Sequence, residues 1–291
     1  MTNIKDNRLI DGIVVKKRII AEVKQYAEQF TKMPSLVSIL IGDVPEAAVY
    51  VRNQARGAEQ AGMPFKQVNW PSDITQDECK ARILALNDDP TVLGIILQRP
   101  VPDHINVRSL QSAIHPLKDV EGMNPASIGN IVYSDVALAP CTAAASVALI
   151  KETGLKLEGL EVVMIGHSEI VGKPIAMMLM AEGCTVTVCH HMTRSVAMHS
   201  RRADVVVVAV GKAHLVKQDM IKPGAVVIDI GINQIDTPEG QKIVGDVDTD
   251  SVINIAGWIT PVPGGVGPVT VAILMRNAMV AHKRQISAGW L

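Results

Sequence analysis

Residues 162–174 read Val162-Val-Met-Ile-Gly166-His-Ser-Glu-Ile-Val-Gly172-Lys-Pro174. The four apolar residues before Gly166 have the length and β-branched bias of a buried strand. Residues 172–182 have the apolar density of a helix, and Thr185-Val-Thr-Val188 is a second strand. Strand, glycine turn, helix and strand form a unit in which a dinucleotide pyrophosphate can meet a helix N-terminus. The turn departs from G-x-G-x-x-G, because Ser168 stands in place of the second glycine and the next glycine is Gly172. Taken alone, it reads equally as a structural β-α turn. The second strand runs into Cys189-His190-His191-Met-Thr-Arg194. NAD-selective sites commonly place a carboxylate there for the ribose hydroxyls. Two histidines and an arginine in that place predict a 2′-phosphate, hence NADP rather than NAD; a solvated polar loop is the plain alternative.

Outward from this unit the alternation continues. Strands are predicted at 205–210 and 225–229, and earlier at 36–42, 68–70 and 94–98. Helices are predicted at 9–31, 46–62, 76–87, 143–153 and 269–285, with 124–145 rich in loop. Alternation of this kind predicts an α/β fold with parallel sheets. The 291 residues suffice for two domains at about 150 residues each. The expected division is 1–142 with 270–291, the last helix returning to the first domain, and 143–269 as a Rossmann-like domain.

Composition narrows the function classes. Apolar residues make up 48% and aromatics 3%, so the core is aliphatic, as strands covered on both faces by helices require. A net charge of −1 without a basic block argues against nucleic-acid and anionic-membrane partners. No apolar run reaches about 18 residues, and the polar first residues carry no signal-peptide core, which predicts a cytoplasmic protein. Cys79, Cys141, Cys184 and Cys189 form no C-x-x-C pair and read as buried thiols, with no metal expected.

A second stretch is equally unusual: Thr260-Pro-Val-Pro-Gly-Gly-Val-Gly-Pro268 holds three prolines and three glycines. It can be neither regular helix nor regular strand. An apolar helix follows it, so its backbone N–H groups could face a ligand or simply make a tight connection.

Together these segments resemble the methylenetetrahydrofolate dehydrogenase/methenyltetrahydrofolate cyclohydrolase family over almost the whole chain. The resemblance also rests on Tyr50-Val51, Gln98-x-Pro-x-Pro102, Lys118-Asp-Val-Glu-Gly122, Pro140-Cys-Thr142, Ala209-Val-Gly211, Val227–Asn233 and Gly245-Asp-Val247. It implies two α/β domains, an N-terminal catalytic domain and a C-terminal Rossmann domain, with a folate cleft between them, usually in a homodimer. It implies oxidation of a tetrahydrofolate derivative, 5,10-methylenetetrahydrofolate, with NADP, then hydrolysis to 10-formyltetrahydrofolate. By motif, Tyr50, position 54, Gln98 and Glu121 would carry the chemistry. Tyr50, Val51, Glu121, Pro261, Gly264 and Gly265 would border the substrate. Gly166, His167, Ser168, Ile170, Val171, His190, His191 and Ile232 would border the cofactor.

One departure bears on the reaction. The family places a lysine four residues after the cleft tyrosine, and here that residue is Gln54. Positions i and i+4 share a helix face, so Gln54 reaches the same place. A glutamine amide donates and accepts hydrogen bonds but is no acid or base at neutral pH. Arg56 lies about 200° around the helix and Arg52 is equally misplaced. Glu121 for aspartate, Arg99 for leucine and Ala143 for proline are further departures, and they put the folate substrate's identity in question. The expectation is a dehydrogenase with impaired cyclohydrolase. The alternatives are an ordinary bifunctional enzyme with compensation, and a folate- or nucleotide-binding protein without catalysis.

Overall fold

The computed structural model describes residues 8–45, 47–238 and 240–290. In chain order the elements are α1 (Gly12–Ala27), β1 (Ser35–Ile41), α2 (Ala47–Gln60), β2 (Phe65–Trp70), α3 (Gln76–Asp88), β3 (Val92–Leu97), α4 (Val107–Ala113), α5 (Pro125–Val132) and α6 (Cys141–Lys151). Then come β4 (Glu161–Ile165), α7 (Gly172–Ala181), β5 (Thr185–Cys189), α8 (Val196–Ser200), β6 (Val205–Val208), β7 (Val226–Asp229), β8 (Asn233–Thr237), β9 (Gly240–Val244), α9 (Thr249–Val252), β10 (Trp258–Ile259) and α10 (Val266–Ser287). The chain divides into two compact units, residues 17–141 with 271–291 and residues 1–16 with 142–270.

In the unit of residues 17–141, β1, β2 and β3 form a parallel sheet in the order β2-β1-β3. Parallel neighbours need crossovers, which α2 and α3 supply. The central β1 and the wholly apolar β3 are buried, as strands covered on both faces must be. A capping box starts α3: Glu78 N–H donates to Thr75 Oγ1, while Thr75 N–H donates to the Glu78 carboxylate. Residue Asp119 bridges in parallel beside Ile95, which lays Lys118–Glu121 along β3.

Two polar residues of α10 tie this unit together. Asn277 Nδ2 donates to the carbonyls of Val120 and Ala139, both at 3.0 Å. Gln285 Nε2 donates to Leu93 and Leu117. The buried Lys118 ammonium donates to the carbonyls of Leu86 and Asp89, and burial lowers its pKa.

In the unit of residues 142–270 the parallel sheet has the order β10-β7-β6-β4-β5. Four consecutive fully buried valines make β6, and the β6, β7 and β4 side chains share one core. The antiparallel pair β8–β9 stands beside it. Residues 8–12 join this unit through backbone bonds. Ile259 N–H donates to Arg8, Ile10 N–H to Ile259, and Gly12 N–H to Gly264. The sequence groups residues 1–142 with 270–291, while the backbone bonds of residues 8–12 run to residues 259 and 264, long-range partners that a helix signal does not specify.

Three local expectations change. Residues 124–145 contain α5, started by Asn124, whose side chain accepts from Ala126 N–H, and by Pro125 at the first helical position. The last helix begins at Val266 rather than 269, since Pro268 is tolerated in a first turn, where its missing N–H costs nothing. The β8–β9 pair was not expected, because its exposed, polar strands show no apolar alternation.

Replacing Asn277 by alanine orphans two buried carbonyls and is expected to cost about 1–3 kcal/mol of stability. Urea denaturation measures this; an unchanged midpoint would show that the bonds to Val120 and Ala139 contribute nothing net.

Candidate functional site

The residues singled out in the sequence divide between the two units. Tyr50, Val51, Gln54, Gln98 and Glu121 belong to the unit of residues 17–141. Gly166, His167, Ser168, Ile170, Val171, His190, His191, Ile232, Pro261, Gly264 and Gly265 belong to the unit of residues 142–270.

In the first unit, Gln98 follows the last residue of β3 and is buried. Its Nε2 donates to Gln54 Oε1 at 2.6 Å and to Ser38 Oγ at 3.0 Å. Both amide protons of Gln98 are thus spent on one helix, α2, and one strand, β1. Ser38 is the one polar side chain in the buried run 36–41, a signal visible in the sequence that drew no functional reading. Tyr50, one turn before Gln54 on α2, is 58% exposed, whereas Val51 is packed into the core.

Glu121 is anchored beside the same strand end. Leu97 N–H donates to its Oε2 at 2.9 Å. Burial pushes its carboxyl up to about 7; the neighbouring Asp119 adds to this, while the Leu97 bond and the Arg99 charge oppose it. Asp119 is no solvated turn residue. It is buried and accepts from Met123 N–H, Asn124 N–H and Ser127 Oγ. Lys118 and Asp119 therefore build the turn, and Glu121 is the member of that motif with a carboxylate oxygen beside β3's end.

In the second unit the β4–α7 turn depends on two glycines. Gly166 has a φ of 114°, and a Cβ there would stand 2.2 Å from the Ala209 carbonyl oxygen. A Cβ on Gly172 would stand 2.2 Å from the Gly166 carbonyl oxygen. Both positions are closed to side chains by backbone, which accounts for a glycine spacing that matches no standard fingerprint. Lys173 N–H donates back to the Ser168 carbonyl, leaving Ser168, Glu169 and Ile170 on the surface of the turn.

His167 from this turn meets His190 and His191 from the end of β5. The His167 and His190 rings are 4.6 Å apart edge to face, and ligand atoms of all three lie within 4.8 Å of one another. Met192 N–H donates to His190 Nδ1 at 3.2 Å. That bond occupies the Nδ1 lone pair and leaves the neutral ring's proton on Nε2, a donor suited to an oxyanion and unsuited to a cation. The Thr193 hydroxyl accepts from His190 N–H, and Ser195 caps α8.

The Thr260–Pro268 stretch leaves β10. Thr260 is buried, with its hydroxyl accepting from Asp229 N–H at 2.8 Å. Gly264 has a φ of 109°, and the Val262–Pro263 bond is cis. Ile232 is exposed on the connection from β7 to β8. Two buried carboxylates, Asp229 and Asp246, lie among these connections. Burial pushes Asp229 up to about 6, with Asp246 adding to the shift and three backbone N–H bonds opposing it.

The chain matches the family model for the catalytic domain of tetrahydrofolate dehydrogenase/cyclohydrolase over residues 10–121. It matches the NAD(P)-binding domain model of the same name over residues 140–286. It is 76% identical to bifunctional protein FolD 3 of Roseobacter denitrificans, over 98% of this chain and 99% of that one. Among solved structures it resembles the Campylobacter jejuni bifunctional enzyme FolD, a methylenetetrahydrofolate dehydrogenase/cyclohydrolase, with 39% identity and a TM-score of 0.89, covering 95% and 99% of the two chains. It also resembles the Trypanosoma brucei dehydrogenase-cyclohydrolase solved with NADP and an inhibitor, at 35% identity and a TM-score of 0.89, covering 96% and 98%.

The raised Glu121 carboxyl gives a pH prediction. Between its ordinary value of 4.5 and about 7 the folded chain holds the proton that the unfolded chain has lost, so stability falls as pH rises through that window. Glu121→Gln lacks this component. The urea midpoint of the wild type is expected to drop relative to the variant between pH 5 and pH 7.5; a constant difference across that range would count against the assignment.

Proposed function

The chain belongs to the tetrahydrofolate dehydrogenase/cyclohydrolase family, and from that premise we propose that it oxidises 5,10-methylenetetrahydrofolate to the methenyl derivative with NADP, with the following hydrolysis to 10-formyltetrahydrofolate impaired. The observation that carries this reading is the pairing of Gln98 with Gln54. Residue 54 takes part in the network as a hydrogen-bond acceptor, which a lysine ammonium cannot be. The three partners Ser38, Gln98 and Gln54 hold no proton that titrates near neutrality.

NADP supplies the hydride acceptor when it is bound. The Gly166–Val171 turn, the His167, His190 and His191 cluster and Ile232 would hold it. The fit is supported by the two glycine positions closed by backbone and by an Nε2–H donor where a carboxylate would repel a 2′-phosphate. On the folate side Tyr50 offers an exposed ring for stacking. Gln54 keeps its NH2 group, Gln98 its Oε1 and Glu121 its Oε1 for fixing the substrate. Pro261, Gly264 and Gly265 would border the substrate. These groups position, and positioning is what hydride transfer requires of the protein. Hydrolysis differs: a water must lose a proton and a leaving nitrogen must gain one. Loss of a placed acid or base typically costs about 10²–10⁴-fold.

A second reading has its own support. Glu121, raised to about 7 and bonded at the strand end beside Gln98, is an acid/base group of suitable strength, and it would keep the enzyme bifunctional. On either reading the protein works as a cytoplasmic homodimer.

Both half-reactions, followed spectroscopically with NADP and with NAD, decide between these. We expect dehydrogenase activity favouring NADP, hydrolysis of methenyltetrahydrofolate near the buffer rate, and at least a tenfold gain in hydrolysis for Gln54→Lys. Fast hydrolysis by the wild type that vanishes in Glu121→Gln establishes the second reading. Folate binding with neither activity would make the protein a non-catalytic binder.

A further inference from the structure

In the sheet of residues 142–270, β4 lies between β5 and β6, so successive crossovers leave it in opposite directions. A crevice opens at such a reversal, at the C-terminal ends of the two strands. Gly166 follows β4 and Ala209 follows β6, and the two backbones approach closely there. The next three residues turn their N–H groups onto one side chain. Val210 and Gly211 donate to Asp246 Oδ2 at 2.7 and 3.0 Å, and Lys212 donates to Oδ1 at 2.8 Å. Asn233 Nδ2 adds a fourth bond to Oδ1 at 2.9 Å, immediately after Ile232.

Asp246 is fully buried. A buried carboxylate is tolerated only when its oxygens are satisfied, so four donors on two connections are bound to a single group. Asp246 is itself held in place. Its own N–H and those of Gly231 and Val247 donate to Asp229, which hangs from Thr260 through its backbone N–H. The connections after β6 and β7 are thus shaped around a charge that no ligand can reach.

We propose that Asp246 is a positioning residue for the cofactor: its carboxylate holds residues 210–212 and Asn233 in the conformation that receives the dinucleotide, and Asp229 keeps Asp246 oriented. The inference rests on the reading of this crevice as the NADP site. An asparagine at 246 presents one acceptor and one donor, so it faces at least one of the two pairs of donors with a donor of its own. The loss then falls on cofactor binding rather than on chemistry in the saturated enzyme.

The test is isothermal titration with NADP, together with dehydrogenase kinetics, on the wild type, Asp246→Asn and Asn233→Ala. Asp246→Asn is expected to raise the NADP Kd and KM roughly 10–100-fold, with kcat at saturating NADP and the folate KM within about threefold of wild type. Asn233→Ala, which removes one of the four donors, is expected to shift the same constants about 3–10-fold and serves alone if Asp246→Asn does not fold. Wild type that binds NADP while both folded variants bind it within twofold overturns the proposal and leaves the cofactor site standing. A fall in kcat with unchanged NADP KM also overturns it, since that marks a general defect. Wild type that binds no NADP removes the cofactor site and the proposal together.

Discussion

Buried carboxylates have to be satisfied by donors, and much of the loop structure is organised by that demand. Asp119, Asp229 and Asp246 are all about 1% exposed or less. Asp229 closes β7, Asp246 follows β9 and Asp119 lies beside β3, and each accepts from backbone N–H groups of the adjoining loops. Asp119 gathers residues 123, 124 and 127; Asp229 gathers 231, 246 and 247; Asp246 gathers 210–212 and 233. Water has been replaced by fixed dipoles, so loops without regular structure hold one conformation. Candidate ligand-binding groups are attached to these loops: Glu121 next to the Asp119 turn, Ile232 between the Asp229 and Asp246 partners.

The amide network of the other unit works by the opposite choice. Gln98, Gln54 and Ser38 are neutral, so burying them needs only mutual hydrogen bonds. They are held in place at little electrostatic cost and carry no proton that titrates near neutrality. Glu121 is the ionisable member of that neighbourhood, and its raised pKa follows first from burial, with the nearby Asp119 adding to it. Binding and hydride transfer are compatible with such a site, whereas proton transfer has one candidate instead of two.

Most of the fold was legible because parallel buried strands leave a strong local signature. Val92–Leu97 and Val205–Val208 could be little else. The helix α5 was legible too, in Asn124-Pro125, but the surrounding loop residues masked it. The β8–β9 pair was not, because solvent faces on both sides remove the alternation that periodicity reads. Among site residues, the place of Gln54 on the helix face of Tyr50 could be read from i, i+4 spacing. Its acceptor role could not, since that depends on Gln98, 44 residues away.

The sequence by itself determined the α/β class and the glycine turn between Gly166 and Gly172, and its motifs taken in order resembled the family that the comparisons show. The first two are consequences of local apolar period and glycine placement, the third of motif content along the whole chain. Only the tertiary structure decided that residues 8–12 join the second unit, that Lys118 and Asp119 spend their side chains on neighbouring backbone groups, that His190 Nδ1 accepts from Met192 N–H, and that Asp246 ties two connections together. Each depends on which distant backbone group completes a buried hydrogen bond, and that is a property of packing across the chain rather than of any stretch of it.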